Sequence, residues 1–348
     1  IIYEPWHYRY VGREAARAIH EQGLPAVVID GIGCLPRDSR PQKKEIIQWI
    51  GQVVESEWRY RGQREAAAGM AALLHDNGIR TYVLKGEVVS ECYPEPSHRL
   101  SVDMDCFLLP AEGGGDVWEK GNSLVEQAGY DVKRGFYKNS TFHVQGLVVE
   151  NHRFMTPFRG SRNLERLEVL LQKMMAVDEG ADRFEGTYLY RPPLMVSALF
   201  LVEHAYSHFL HEGLTWRHIL DWQMFVRRHR EDIDWKTFGA YVDDFGFRKF
   251  YDSYCRLGRL LLGEAAESDL TGADRMMLRD VWAPLDLHET LHGVKGKLAL
   301  AGNTWRARWK YREFTDISWL KALWIQVKGF LFMRNPVLHE TLMENALI

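Results

Sequence analysis

Residues 103–109 combine an apolar run with two aspartates, and this combination most limits how the chain can fold. The last four residues are cysteine, phenylalanine and two leucines, which is typical of a buried β-strand. Asp103 and Asp105 are two residues apart, so in a strand both carboxylates point to the same face. Like charges this close repel each other, and burial strengthens the repulsion. A divalent cation would relieve it, and carboxylate oxygens are ligands that Mg²⁺ prefers.

An isolated Asp-x-Asp pair more often marks a solvated strand end than a metal site, so the neighbouring residues decide its interpretation. Residues 82–84 predict a short buried strand upstream of the pair, and this strand runs into Lys85 and Gly86. Glycine at that point lets the backbone approach a ligand closely. Arg99 adds a further cation four residues before Asp103.

The order of these residues resembles a family of uncharacterised nucleotidyltransferases in the DNA polymerase β superfamily. The resemblance is carried by Lys85-Gly86, Tyr93-Pro94, Arg99 and Asp103-Met104-Asp105, followed by an apolar strand. It is sharp over residues 83–109 and looser over about 63–225.

The resemblance implies an α+β fold, in which a nucleotidyltransferase core with a short mixed sheet flanked by helices precedes a C-terminal all-helical domain. The pattern agrees, because a helical periodicity over residues 41–77 leads into the first strand, and the pattern after the diproline at 192–193 is almost entirely helical. We expect an N-terminal helical segment over residues 1–62, the core over 63–185 and the helical domain over 186–348.

A third acidic side chain follows in the β-like segment 147–154. Its alternation places Glu150 and His152 on one face. The resembling family has an acid-x-His sequence here, usually with aspartate as the acid, and so implies that Glu150 completes a metal site with Asp103 and Asp105. The alternative is an edge strand with a solvated glutamate.

The helix predicted after the diproline carries a stripe of histidines beside its apolar stripe. The family shows a similar His-x-x-x-His followed by an aspartate, which His204, His208 and Asp221 resemble. We expect His152, His204 and His208 to line the cleft beside the nucleotide. A zinc site on His204 and His208 is the alternative, although the residue after His204 is Ala205 and not the glutamate of zincins.

These assignments predict metal-dependent transfer of a nucleoside monophosphate from an NTP to an acceptor, with release of pyrophosphate. Asp103, Asp105 and Glu150 are the predicted catalytic residues and metal ligands, and Mg²⁺ or Mn²⁺ is the predicted ion. Glu150 would hold a second ion or act as the base on the acceptor. The acceptor stays open, and ATP is the expected NTP.

The predicted nucleotide-binding residues are Lys85, Gly86 and Arg99. Gly86 would offer its backbone to the triphosphate, and Lys85 and Arg99 would offset its negative charge. Arg99 has a competing role as a structural partner of the aspartate pair.

A catalytically inactive nucleotide-binding or scaffold protein on the same fold is the alternative function, suggested by the glutamate at position 150. A zinc hydrolase built on His204 and His208 is a third and weaker reading.

Charge and composition limit the partners and the compartment. The net charge of −3 gives no general attraction to nucleic acid or to an anionic membrane, and a nucleic-acid acceptor stays open. The four cysteines are scattered without a Cys-x-x-Cys pair, which suits a reducing cytoplasm. No apolar stretch is long enough to span a bilayer, and no signal peptide is visible. We therefore expect a cytoplasmic protein without a membrane partner.

Overall fold

The computed structural model describes most of the middle of the chain. The described residues are 43–99, 101–112, 116–135, 138–157, 161–177, 182–211, 213–282, 305–315, 318–321 and 324. Residues 1–42 of the predicted N-terminal segment lie outside them, as does much of the chain after residue 282. The three-part division of the chain stays a prediction.

Strands and helices both occur up to residue 190, and every element that the structure describes after that point is helical. The strands are β1 (Ile79–Val83), β2 (Asp103–Pro110), β3 (Lys133–Arg134), β4 (Asn139–Val144), β5 (Leu147–His152) and β6 (Leu189–Tyr190). The helices are α1 (Lys43–Asp76), α2 (Glu87–Ser90), α3 (Val117–Gln127), α4 (Arg162–Ala176), α5 (Leu194–His211), α6 (Trp216–Arg228), α7 (Trp235–Asp244), α8 (Arg248–Leu261), α9 (Gly272–Trp282) and α10 (Arg308–Phe314). Short 3₁₀ turns occupy Pro96–His98 and Glu267–Asp269.

The six strands form one mixed sheet in the order β3-β4-β5-β2-β1-β6. β2 lies near its centre, antiparallel to β1 and parallel to β5. β4 is antiparallel to β3 and β5, and β6 is parallel to β1. The sheet with its flanking helices and the helical C-terminal region confirm the predicted α+β class and agree with a nucleotidyltransferase fold.

The alternation of β2 divides the apolar side chains between two cores. Met104, Cys106 and Leu108 pack with residues of α1 and α3 on one face, whereas Phe107 packs with residues of α4 and α5 on the other. Full burial of a large apolar side chain contributes about 1.5–3 kcal/mol, so both faces are held firmly. Asp103 and Asp105 share the face of Phe107, which is the face that the C-terminal helices cover.

The helical pattern before β1 forms one continuous helix. α1 has 34 residues and is about 50 Å long, which exceeds the length of any strand it packs on. Its C-terminal half buries Ala66, Met70 and Leu74 against the sheet. In its N-terminal half Ile47 and Val54 stay 61% and 59% exposed, because the sheet does not extend that far.

The C-terminal helices build a second core around aromatic rings. Trp222 of α6 stacks on Phe238 of α7, and Phe250 of α8 stacks on Tyr254, with centroid distances of 5.7 and 5.2 Å. α5 begins directly after the diproline, as the sequence predicted. None of the described helices is both long and apolar enough to cross a membrane.

Candidate active site

The parallel pairing of β2 with β5 brings acidic residues of two strands together. In the register of the two strands Asp105 lies opposite Glu150, and Phe107 lies opposite His152. His152 Nε2 is 2.9 Å from Asp105 Oδ1 and 3.7 Å from Glu150 Oε2. One ligand atom each from Asp105, Glu150 and His152 lies within 4.8 Å of the other two, which is a candidate metal group. Asp103 begins β2 on the same face.

The two aspartates have different electrostatic environments. Burial alone raises the pKa of Asp105, but the hydrogen bond and charge of His152, together with the charge of Lys85, hold that pKa well below its usual range. Burial and the neighbouring charge of Asp105 raise the pKa of Asp103, and Lys85 opposes the rise. Asp105 therefore carries the firmly ionised carboxylate of the pair.

His152 balances this charge from inside the protein. Its Nε2 faces Asp105, and its Nδ1 is 3.3 Å from the carbonyl oxygen of Phe154. Both nitrogens can therefore donate, which an imidazolium alone can do. Burial by itself lowers the pKa of His152, but the hydrogen bonds with Asp105 and Glu150 raise it overall. The ring orients Asp105 through Oδ1 and leaves its other oxygen available.

The donor set fits a hard divalent cation. Asp105 Oδ2 is buried and has no hydrogen-bond partner among the described residues. The Glu150 side chain is 34% exposed, so its carboxylate lies at an accessible edge of the group. Asn139 Nδ2 donates to Glu150 Oε2 over 2.8 Å and holds it there. The carboxylates of Asp105 and Glu150 supply the oxygen ligands that Mg²⁺ and Mn²⁺ prefer, whereas His152 donates from both nitrogens and orients Asp105.

The turn after β1 places Lys85 between the carboxylates and the histidines of α5. Lys85 is 9% exposed, and its Nζ lies 2.7 Å from His204 Nε2. Burial lowers the pKa of Lys85, against the opposing charges of Asp105 and Asp103. Gly86 has φ +79° and ψ −107°, a conformation that glycine adopts without strain. A Cβ atom there would lie 3.5 Å from the carbonyl oxygen of Asp103, so the turn packs closely on β2.

Arg99 forms a buried ion pair with Asp221 of α6. Its Nε and Nη2 donate hydrogen bonds of 2.8 Å to Oδ1 and Oδ2 of Asp221, respectively. The Tyr93 hydroxyl donates to Oδ1 over 2.7 Å. The structural partner of Arg99 is therefore Asp221 and not the aspartate pair. Its Nη1 is buried without a hydrogen-bond partner among the described residues, and a role in nucleotide binding stays a prediction.

A small pocket that opens to solvent lies beside the Gly86 turn. It is lined by Tyr60, Gln63, Gly86, Glu87, Ser90, Ser101, Asp103, Met104 and Leu147. Burial raises the pKa of Glu87 to about 7, against the opposing charge of Arg64. No sequence motif marks Glu87, which lies in the short helix α2.

The structure adds three residues that the sequence analysis missed. The charge of Lys138 acts on Asp105, and that of Arg217 acts on Asp103. His218 joins His204 and His208 in a second candidate metal group. The register of the β4–β5 hairpin could have pointed to Lys138, since the next residue, Asn139, lies opposite His152 and so places Lys138 near the site. No local pattern marks Arg217 or His218, because α6 reaches the site only through tertiary packing.

The other predicted cleft residues lie in the same region. The ring of His152 packs edge-on against Phe200 of α5, with centroids 6.1 Å apart. His204 is on the next turn of α5 and contacts Phe200 as well. The helix with the predicted histidine stripe therefore covers the face of the sheet that carries the carboxylates.

Comparison with known proteins identifies one family. A family described as an uncharacterised nucleotidyltransferase matches residues 13–263, which is more than half of the chain. No curated protein and no solved structure matches the chain.

Proposed function

The chain belongs to this uncharacterised nucleotidyltransferase family, and from that membership we propose that it moves a nucleoside monophosphate from an NTP to an acceptor and releases pyrophosphate. ATP is the NTP that we propose to test first. The observation that carries the proposal is the convergence of Asp105 and Glu150 across the β2–β5 pair, with Asp103 on the same face.

We assign the divalent cation to the carboxylates of Asp103, Asp105 and Glu150. A bound Mg²⁺ or Mn²⁺ supplies charge that stabilises the negative oxygens of the reacting phosphoryl group. The unpartnered Oδ2 of Asp105 supports this assignment, because a buried carboxylate oxygen otherwise loses its hydration without compensation. His152 is a positioning residue that holds Asp105 through the other oxygen.

The transfer forms one bond and breaks one. The acceptor oxygen or nitrogen forms a bond to the α-phosphorus of the NTP, and the bond from that phosphorus to the bridging α–β oxygen breaks. The electron pair of the broken bond leaves on pyrophosphate, and the proton of the acceptor passes to Glu150 or to water. We assign Lys85 to offsetting the charge of the phosphates, and the backbone at Gly86, which has no side chain, to approaching them closely.

The test measures pyrophosphate release from each of the four NTPs, with Mg²⁺ or Mn²⁺ and a panel of hydroxyl and amine acceptors. Wild type should release pyrophosphate only with a divalent ion, and Asp105→Asn should lower the rate at least a hundredfold. Asp131→Asn changes an exposed aspartate and should match wild type. Calorimetric titration with Mn²⁺ gives a second readout, in which Asp105→Asn should weaken binding.

Two results would overturn the proposal. Wild-type release by Asp105→Asn would remove the carboxylates from the chemistry. Tight nucleotide binding by wild type without release from any NTP would instead favour the inactive scaffold.

A further inference from the structure

Three histidines from two helices meet beside Lys85, and the proposed chemistry of the carboxylates does not use them. His204 and His208 come from α5, and His218 comes from the first turn of α6. One ring nitrogen of each lies within 4.8 Å of the other two. The ring of His208 is centred 4.4 Å from that of His204 and 4.9 Å from that of His218. We call these three residues the histidine cluster.

Hydrogen bonds determine which nitrogen of His218 carries its proton. The backbone N–H of Thr215 points to His218 Nδ1 over 3.2 Å, and the Thr215 hydroxyl lies 2.9 Å from the same atom. A backbone N–H can only donate, so Nδ1 accepts with its lone pair. A neutral ring with this lone pair in use carries its proton on Nε2. His218 therefore presents an N–H group, and not a lone pair, to its surroundings.

The same reasoning applies to His204. Its Nε2 is 2.7 Å from the Nζ of Lys85, and an ammonium can only donate. Nε2 of His204 therefore accepts, and Nδ1 carries the proton. Two of the three rings thus lack a free lone pair, which a metal ion would need from each ligand. The arrangement disfavours zinc and provides donors that suit an oxyanion.

The neighbouring groups add positive charge to these donors. Lys85 contacts His204 directly, and the charges of Lys85 and Arg217 act on His218. The first turn of α6, a helix of 13 residues, contributes the positive end of its dipole beside His218. His204 and His208 are half-buried, whereas His218 is buried.

We propose that the histidine cluster, with Lys85 and Arg217, binds the pyrophosphate portion of the NTP and retains it as the leaving group. This inference rests on the proposed function. Lys85 connects the two regions, since its charge acts on Asp103 and Asp105 while its ammonium contacts His204. The electron pair released from the α-phosphorus then collects on oxygens that face N–H donors and cations.

The test uses the full chain and inorganic pyrophosphate as the probe, in buffer that contains EDTA. Calorimetry should show binding by wild type, and His204→Leu and His208→Leu should each weaken it at least tenfold. His208→Gln keeps an N–H donor and should retain more affinity than His208→Leu. His143→Leu changes an exposed histidine on β4 and should bind like wild type.

Two further measurements separate this inference from the proposed function. Asp105→Asn should lose NTP turnover and keep metal-free pyrophosphate binding. Each proposal can therefore fail while the other is still tested by its own measurement. Nitrogen NMR of wild type with labelled histidine should show shifts in the cluster when pyrophosphate is added, and this measurement does not depend on any variant folding.

The inference is overturned by either of two results. One zinc ion per purified chain that is lost in His208→Leu would make the cluster a metal site. Unchanged pyrophosphate affinity in folded His204→Leu and His208→Leu, with unshifted histidine signals in wild type, would make it a structural part of the core.

Discussion

Replacing Asp221 by asparagine should destabilise the protein strongly, because it removes one charge from a buried ion pair. Arg99 is 4% exposed and Asp221 is 2% exposed. In asparagine an NH₂ group, which cannot accept, replaces one of the two oxygens that bind Arg99, so one 2.8 Å bond is lost and the guanidinium charge stays buried without compensation. Breaking a buried pair in this way costs about 3–5 kcal/mol of unfolding free energy. Tyr93→Phe removes only one hydrogen bond to the same carboxylate and should cost about 1.5–3 kcal/mol.

Urea unfolding followed by tryptophan fluorescence would measure the loss, with free energies from linear extrapolation. The matched control is Asp243→Asn. Arg248 binds Asp243 through the same two nitrogens, at 2.6 and 2.9 Å, but the two side chains are 40% and 61% exposed. Solvent screens that pair, so its variant should keep the wild-type midpoint within error.

A double variant sharpens the test. Arg99→Met with Asp221→Leu removes both charges and should be more stable than Asp221→Asn alone, since no unpaired charge remains buried. Burial opposes ionisation of Asp221, but Arg99 outweighs it and lowers the pKa below its usual value. The contribution of the ion pair to stability is present above the pKa of Asp221 in the unfolded chain and is lost as pH falls through its pKa in the folded protein. The destabilisation caused by Asp221→Asn should therefore be the same at pH 6 and pH 8. Equal midpoints for Asp221→Asn and Asp243→Asn would refute the reasoning.

Two further changes test the turn beside the site. Gly86→Ala forces a side chain into φ +79° and should lower the unfolding free energy by about 1–3 kcal/mol. In the same urea assay Gly51→Ala, at an open position of α1, should be neutral or stabilising. An unchanged unfolding free energy for Gly86→Ala would contradict the assigned backbone conformation. Glu87 has its pKa raised to about 7, so its stabilising contribution is complete below the unfolded value and is lost as pH rises through 7. The unfolding free energy of Glu87→Gln relative to wild type should therefore rise by about 3 kcal/mol between pH 4.5 and 8, at about 1.4 kcal/mol per pKa unit. A difference between the two proteins that does not change with pH would rule this out.

The sequence predicted best those elements whose own periodicity is long and regular. α5 begins directly after the diproline, as its helical periodicity predicted. β2 and β5 follow from alternation, which places the carboxylates on one face. These features depend on backbone geometry within a single element, so local sequence is sufficient to predict them.

The exposure of the N-terminal half of α1 could not be predicted from its sequence. An apolar stripe with helical spacing predicts a helix, and the helix is present. Which stripe is buried depends on what lies opposite it, and the sheet covers only the part of α1 near Met70 and Leu74. Periodicity describes one helix and carries no information about the extent of its partner.

The sequence by itself determined that Asp103 and Asp105 share one face of their strand, that Glu150 and His152 share one face of theirs, and that glycine occupies the turn at position 86. Only the tertiary structure decided that the two faces coincide, through the parallel register that sets Asp105 opposite Glu150. It also decided that Arg99 pairs with Asp221, 122 residues away, and that Lys85 meets His204, 119 residues away. Contacts at such separations form when helices and sheet pack together, and their geometry follows from the packing of the whole domain rather than from any local period.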